Sequence, residues 1–81
     1  MGRDAIFDHL ASRIAAVFSM DKAAVTETLS LEKDLNAKSV QYAQITTYLE
    51  DALDIEIPYM PFRRQATVGE AVDFVLSLCE E

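Results

Sequence analysis

The chain predicts an all-α fold, a small bundle of three main helices plus one short helical turn. Two observations lead there. Of 81 residues, 51% are hydrophobic while only 2 are Gly and 2 are Pro, which supplies a packed core and few helix breakers. Apolar residues also recur three and four apart in separate stretches, the spacing of one helix face, and no alternating runs divided by Gly-rich turns compete with them. The length fits one domain, residues 1–81, whose core must be compact and efficiently used.

The first helix is expected from residue 4 or 5 to residue 18. Ile6, Phe7, Leu10, Ile14, Val17 and Phe18 form its stripe, and Asp4 is the candidate cap. Arg3, Asp8, His9, Ser12 and Arg13 fall largely off the stripe. Residues 19–37 read as an ordered crossover rather than a free loop, because Val25, Leu29, Leu31 and Leu35 pin it to the core. Within it Asp21 caps a short turn through Lys22-Ala23-Ala24. The second main helix starts near Lys38 or Ser39 and ends near Leu53, with Tyr42, Ile45, Leu49, Ala52 and Leu53 inward. Its opposite face carries Val40, Gln41, Gln44, Thr47, Glu50 and Asp51. Pro58 closes the segment after it, since the residue before proline avoids helix, and Tyr59-Met60-Pro61-Phe62-Arg63-Arg64 allows at most a short helical turn. Thr67 and Glu70 then form a capping box, and the last helix turns Val68, Ala71, Val72, Val75, Leu76 and Cys79 inward.

The formal net charge is −7, from 14 acidic and 7 basic residues, which argues against a nucleic-acid partner because phosphate binding needs clustered Lys and Arg. Cys79 is the one cysteine, so an internal disulfide and a cysteine-cluster zinc site are excluded. No apolar run approaches the ~20 residues of a membrane span, and Met1-Gly2-Arg3-Asp4 opens no apolar secretory core. A cytoplasmic monomer without membrane insertion is expected. Enzymatic readings fail on inventory. His9 has no nucleophile placed beside it by any motif, and the acidic pairs Glu50/Asp51 and Glu80/Glu81 read as a solvated face and tail. No metal-ligand spacing or phosphate-binding glycine loop is present.

Five pieces occur in order along the chain. Ile6-Phe7 lies in the first helix. Asp34-Leu35-Asn36-Ala37-Lys38-Ser39-Val40-Gln41 enters the second, which continues through Tyr48-Leu49-Glu50-Asp51. Asp54-Ile55-Glu56-Ile57-Pro58 follows it, and Thr67-Val68-Gly69-Glu70-Ala71-Val72 opens the last helix. Together they resemble the acyl carrier proteins and related thiolation domains, whose central motif reads Asp-Leu-Gly-Ala-Asp-Ser-Leu-Asp, followed by Ile-Pro and Thr-Val-Gly-(Asp/Glu)-Ala-Val. The resemblance implies an acyl-carrier-like bundle, not an enzyme, in the setting of fatty acid and lipid biosynthesis. By it, Ser39 is the residue to which a phosphopantetheinyl transferase attaches 4′-phosphopantetheine from coenzyme A. The arm would then present an acyl group as a thioester to acyl-loading and acyl-transferring synthases. On residues alone the alternative stays open that Ser39 only caps its helix and the protein is an unmodified helical interaction module.

The chain departs from the family pattern where partners read it. Lys38 stands for Asp, Val40 for Leu, Gln41 for Asp and Gln44 for Glu, and Arg63 and Arg64 add positive charge nearby. The expected recognition face is Lys38, Val40, Gln41, Gln44, Thr47, Glu50 and Asp51, its substitutions read as altered partner choice, with drift on a solvated face as the open alternative. The start at Met1 and the finish at Glu80-Glu81 favour a free-standing carrier.

Overall fold

The computed structural model describes residues 2–80; Met1 and Glu81, on which the free-standing reading draws, lie outside the described residues. Four α-helices and a 3₁₀ turn follow one another: α1 (Arg3–Phe18), the 3₁₀ turn (Lys22–Ala24), α2 (Ser39–Leu53), α3 (Tyr59–Arg63) and α4 (Val68–Cys79). Helix α1 packs on both α2 and α4, and short α3 bridges α2 to α4. Ile6, Leu10 and Ile14 of α1, Ile45 and Leu49 of α2, and Val68, Val72 and Val75 of α4 meet in the centre with no solvent exposure. Phe62 of α3, absent from the expected core, joins them as one of the largest fully buried side chains.

Helix α1 starts one residue earlier than expected, and Asp4 is not its cap. Gly2 holds that position with no side-chain bond, while Asp4 lies in the first turn, where a carboxylate suits the positive end of the helix dipole. On α2, Ala52 is exposed and Thr46 takes a buried place instead, its hydroxyl donating to the Ala43 carbonyl at 3.2 Å. That internal bond is what lets a hydroxyl sit in an apolar interface. Both α1 and α2 end on a left-handed residue, Ser19 (φ 53°) and Asp54 (φ 55°), in the manner of a helix C-cap.

The crossover is ordered as expected. Asp21 accepts from the Ala23 amide at 2.9 Å, capping the 3₁₀ turn. Val25 and Leu31 are buried, and Leu29 and Leu35 pack against the core. Its far end clips onto α4, where the first helical amides need partners from outside the helix. Val68 N–H donates to the Leu29 carbonyl and Gly69 N–H to the Glu27 carbonyl, both at 2.9 Å. Glu70 N–H goes to the Thr67 hydroxyl at 3.2 Å. The return arm of the expected capping box reaches one residue further back, from Ala66 N–H to Glu70 Oε1 at 3.4 Å. Gly69 is required by the close approach, since a Cβ there would stand 2.9 Å from Glu27 Oε1 and 3.1 Å from its carbonyl oxygen.

Arg3 ties three elements together. Its guanidinium donates to both Glu27 carboxylate oxygens (2.9 and 2.5 Å), to Asp73 Oδ1 (2.7 Å) and to the Gly69 carbonyl (3.3 Å). Lys22 pairs with Asp8 on the other side of α1.

Candidate functional site

The loop into α2 is built by short-range hydrogen bonds. Asp34 accepts from the Ser30 amide at 2.8 Å, Ser30 Oγ accepts from Lys33 N–H at 3.0 Å, and Ala37 N–H returns to the Leu31 carbonyl at 2.9 Å. Asn36 sits in the left-handed region (φ 53°), a conformation asparagine tolerates better than most side chains and one that glycine, in the family motif, adopts freely. Lys38 occupies the N-cap position, but an ammonium has no acceptor, so only one arm of a capping box forms: Gln41 Oε1 accepts from Lys38 N–H at 2.7 Å. The Lys38 ammonium itself donates to Asn36 Oδ1 at 3.0 Å.

Ser39 is the first residue of α2 and is exposed. Its hydroxyl oxygen accepts from Arg63 Nη1 at 2.9 Å, and the same Nη1 donates to the Tyr59 hydroxyl at 3.1 Å. The Tyr59 hydroxyl in turn donates to the Ser39 carbonyl at 3.4 Å. The Arg63 guanidinium carbon lies 5.1 Å from the centre of the Tyr42 ring, a cation–π contact. Burial and Glu32 push the Tyr42 hydroxyl above its usual range, against the pull of Arg63. A hydroxyl has one donor and two acceptor lone pairs, so with one lone pair filled Ser39 keeps its O–H and a second lone pair for chemistry. Arg63 and Tyr59 are the residues that sequence reasoning missed here. The doublet Arg63-Arg64 registered only as charge, because the contact joins residues 24 apart across two helices.

The expected recognition face divides. Val40, Gln44, Thr47 and Asp51 line one shallow groove with Arg13 and Tyr48. Val40 is 63% exposed and Met60, one turn before Arg63, 52%, the large hydrophobic side chains most open to solvent among the described residues. Gln41 and Glu50 face inward duties instead: Gln41 caps α2, and Glu50 Oε2 accepts from Ile57 N–H at 2.9 Å, holding the segment after the helix. Arg13 lies over the Tyr48 ring at 5.1 Å, and His9, half-buried, stands 6.4 Å from the same ring.

No family model matches the chain. Individual relatives do. The chain is 35% identical over 77 residues to an acyl carrier protein of Lactobacillus johnsonii, covering 95% of this chain and 96% of that one. It is 34% identical over 77 residues to an acyl carrier protein of Lactobacillus acidophilus, with the same coverage. The chain belongs to the acyl carrier protein family. Its role is that of a carrier and not a catalyst, and the all-helical architecture agrees with that assignment. Among the described residues, no helix is long and apolar enough to cross a membrane.

Proposed function

We propose that this protein, a single carrier domain over residues 1–81, holds an acyl group as a thioester on a 4′-phosphopantetheine arm attached to Ser39. The observation that carries the reading is the exposed Ser39 hydroxyl at the first residue of α2, inside the segment that matches the family's serine motif. The surroundings fit a phosphate ester: the hydroxyl keeps a free lone pair, and its hydrogen-bond partner is the cation Arg63 rather than a carboxylate. During attachment the Ser39 oxygen attacks the phosphorus on the pantetheine side of coenzyme A. The new Oγ–P bond forms as the P–O bond to the nucleotide half breaks, and the hydroxyl proton passes to a base of the transferase. Once in place, the arm's thiol supplies the thioester linkage for the acyl cargo.

The partners in this reading are a phosphopantetheinyl transferase and cytoplasmic acyl-loading and acyl-transferring synthases of fatty acid and lipid biosynthesis, which meet the carrier as a monomer. Val40, Gln44, Thr47 and Asp51, lining one groove, supply the contact surface, and Lys38 precedes Ser39 in the chain. Lys38 and Gln44 stand where the family is acidic, so partners that dock basic patches should use this carrier poorly. Intact mass after incubation with coenzyme A and a broad-specificity transferase tests the attachment. Wild-type protein gains one phosphopantetheine, and Ser39→Ala gains none while staying helical. A gain mapping to Ser12, Ser30 or Ser77 overturns the assignment, and no gain with any transferase leaves a helical interaction module.

A further inference from the structure

We propose that Arg63 is a positioning residue that grips the phosphate carried on Ser39 and fastens the base of the arm to α3. The inference rests on the reading of Ser39 as the attachment residue and assigns a role to a side chain outside the serine motif.

In the unmodified protein the Arg63 guanidinium is already aimed at the reacting oxygen, at 2.9 Å from Ser39 Oγ. It is held there from two sides, by the Tyr59 hydroxyl at 3.1 Å and the face of Tyr42 at 5.1 Å. Among the described residues it has no carboxylate partner, since the ion pairs involve only Arg3 and Lys22. Glu32 from the crossover is near enough to act on Tyr42 but forms no ion pair with Arg63. A guanidinium with five donors and a full charge is therefore directed at a neutral hydroxyl. Turning Oγ–H into Oγ–P places anionic oxygens two bonds beyond the atom Arg63 touches. The planar fork matches phosphate, and an anionic acceptor adds Coulomb attraction to a bond that in the unmodified protein joins the cation to a neutral oxygen. Lys38 is the second cation beside Ser39, but its ammonium is engaged by Asn36 at 3.0 Å. Because Arg63 belongs to α3 and Ser39 to α2, a stronger bond between them draws the short helix onto the long one. Phosphate on Ser39 then stabilises the fold instead of burdening an acidic molecule with one more negative charge.

Protein with phosphoserine at position 39, installed during translation, presents a phosphate without any transferase. Its melting temperature is compared with that of the unmodified protein, and its ³¹P chemical shift with that of a short phosphoserine peptide, in wild type, Arg63→Gln and Arg63→Lys. The expected result is a rise of about 4 °C on phosphorylation at low salt, shrinking in molar salt. That rise should vanish in Arg63→Gln and survive in part in Arg63→Lys, with the ³¹P resonance moving only where a cation remains at 63. Each variant is read against its own unmodified form, so a general loss of stability does not blur the comparison. An equal rise in wild type and Arg63→Gln, or none in wild type, overturns the inference. Transferase-treated protein is weighed in parallel. Absence of a mass gain on Ser39 defeats the attachment reading whatever the phosphoserine protein does, whereas Arg63-independent behaviour defeats this inference whatever the mass.

Discussion

Gln41 stands where the family motif has an aspartate, and its side chain turns back to the Lys38 amide at 2.7 Å rather than out toward a partner. The reason is next door. Lysine at the cap position cannot accept a hydrogen bond, so the orphan amides at the start of α2 depend on what a neighbour can provide. Gln41→Ala should therefore cost about 0.5–1 kcal/mol in urea unfolding. Gln44→Ala, one turn on and exposed, should stay within about 0.5 kcal/mol of wild type. Equal losses at the two positions would remove the capping account. Gln41→Glu should keep the bond and add a favourable charge at the helix N-terminus, leaving stability equal or slightly higher. The place of Ser39 at the start of α2 was legible in the sequence because the segment that enters the helix is local and contiguous. The Arg63 contact was not, because no periodicity reports which end of α2 a five-residue helix will meet.

The helices themselves were legible for the same reason: spacing within a helix is local information. The stripe of α1 and the inward face of α4 follow their apolar periodicity, and Asp21 caps its 3₁₀ turn from sequence context alone. What periodicity does not give is how far a neighbouring element covers a stripe. Ala52 lies on the phase of Leu49 yet is exposed, while Thr46, polar by type, is buried. Between elements, side-chain ion pairs do joining work that pattern reading does not see. Arg3 holds the Glu27 carboxyl below its ordinary 4.5 and Lys22 does the same to Asp8 below 3.8. A carboxyl whose folded pKa is depressed adds stability that is present above the unfolded value and disappears as pH falls through the folded one. Arg3→Ala should accordingly melt below wild type at pH 7. The gap between the two should close on acidification from about pH 4.5 downward, where the unfolded glutamate begins to take up its proton. A gap that persists unchanged at pH 2 would mean that Arg3 acts through packing and not through charge.

Across the whole molecule the charges are sorted rather than scattered. Of the 7 basic residues, Arg3 and Lys22 are paired with carboxylates and Arg13 lies on Tyr48. Lys33, Arg63 and Arg64 line one groove together with Glu32 and Asp34, Arg63 reaches Ser39 and Lys38 precedes it, so four of the 7 cations of an acidic protein gather near its candidate site. Such a molecule approaches partners with a preferred orientation, which acts mostly on association rate and on which partners are rejected. The crossover's clip onto α4 has a further meaning on the timescale of backbone opening. The amides of Val68 and Gly69 belong to a first helical turn, where exchange with solvent is ordinarily quick, yet they donate to the carbonyls of Leu29 and Glu27. They should exchange in deuterated water only when the crossover lifts, and so keep pace with Val72 and Val75 in the core. Gly69→Ala pushes a methyl against Glu27, which Arg3 already holds in place. The overpacking should exceed the gain in helix propensity by about 1 kcal/mol and speed those two amides roughly fivefold or more. Residues 25–37 and the last helix would then open and close as one cooperative unit, and the longest connection in the chain would be among its slowest segments to breathe.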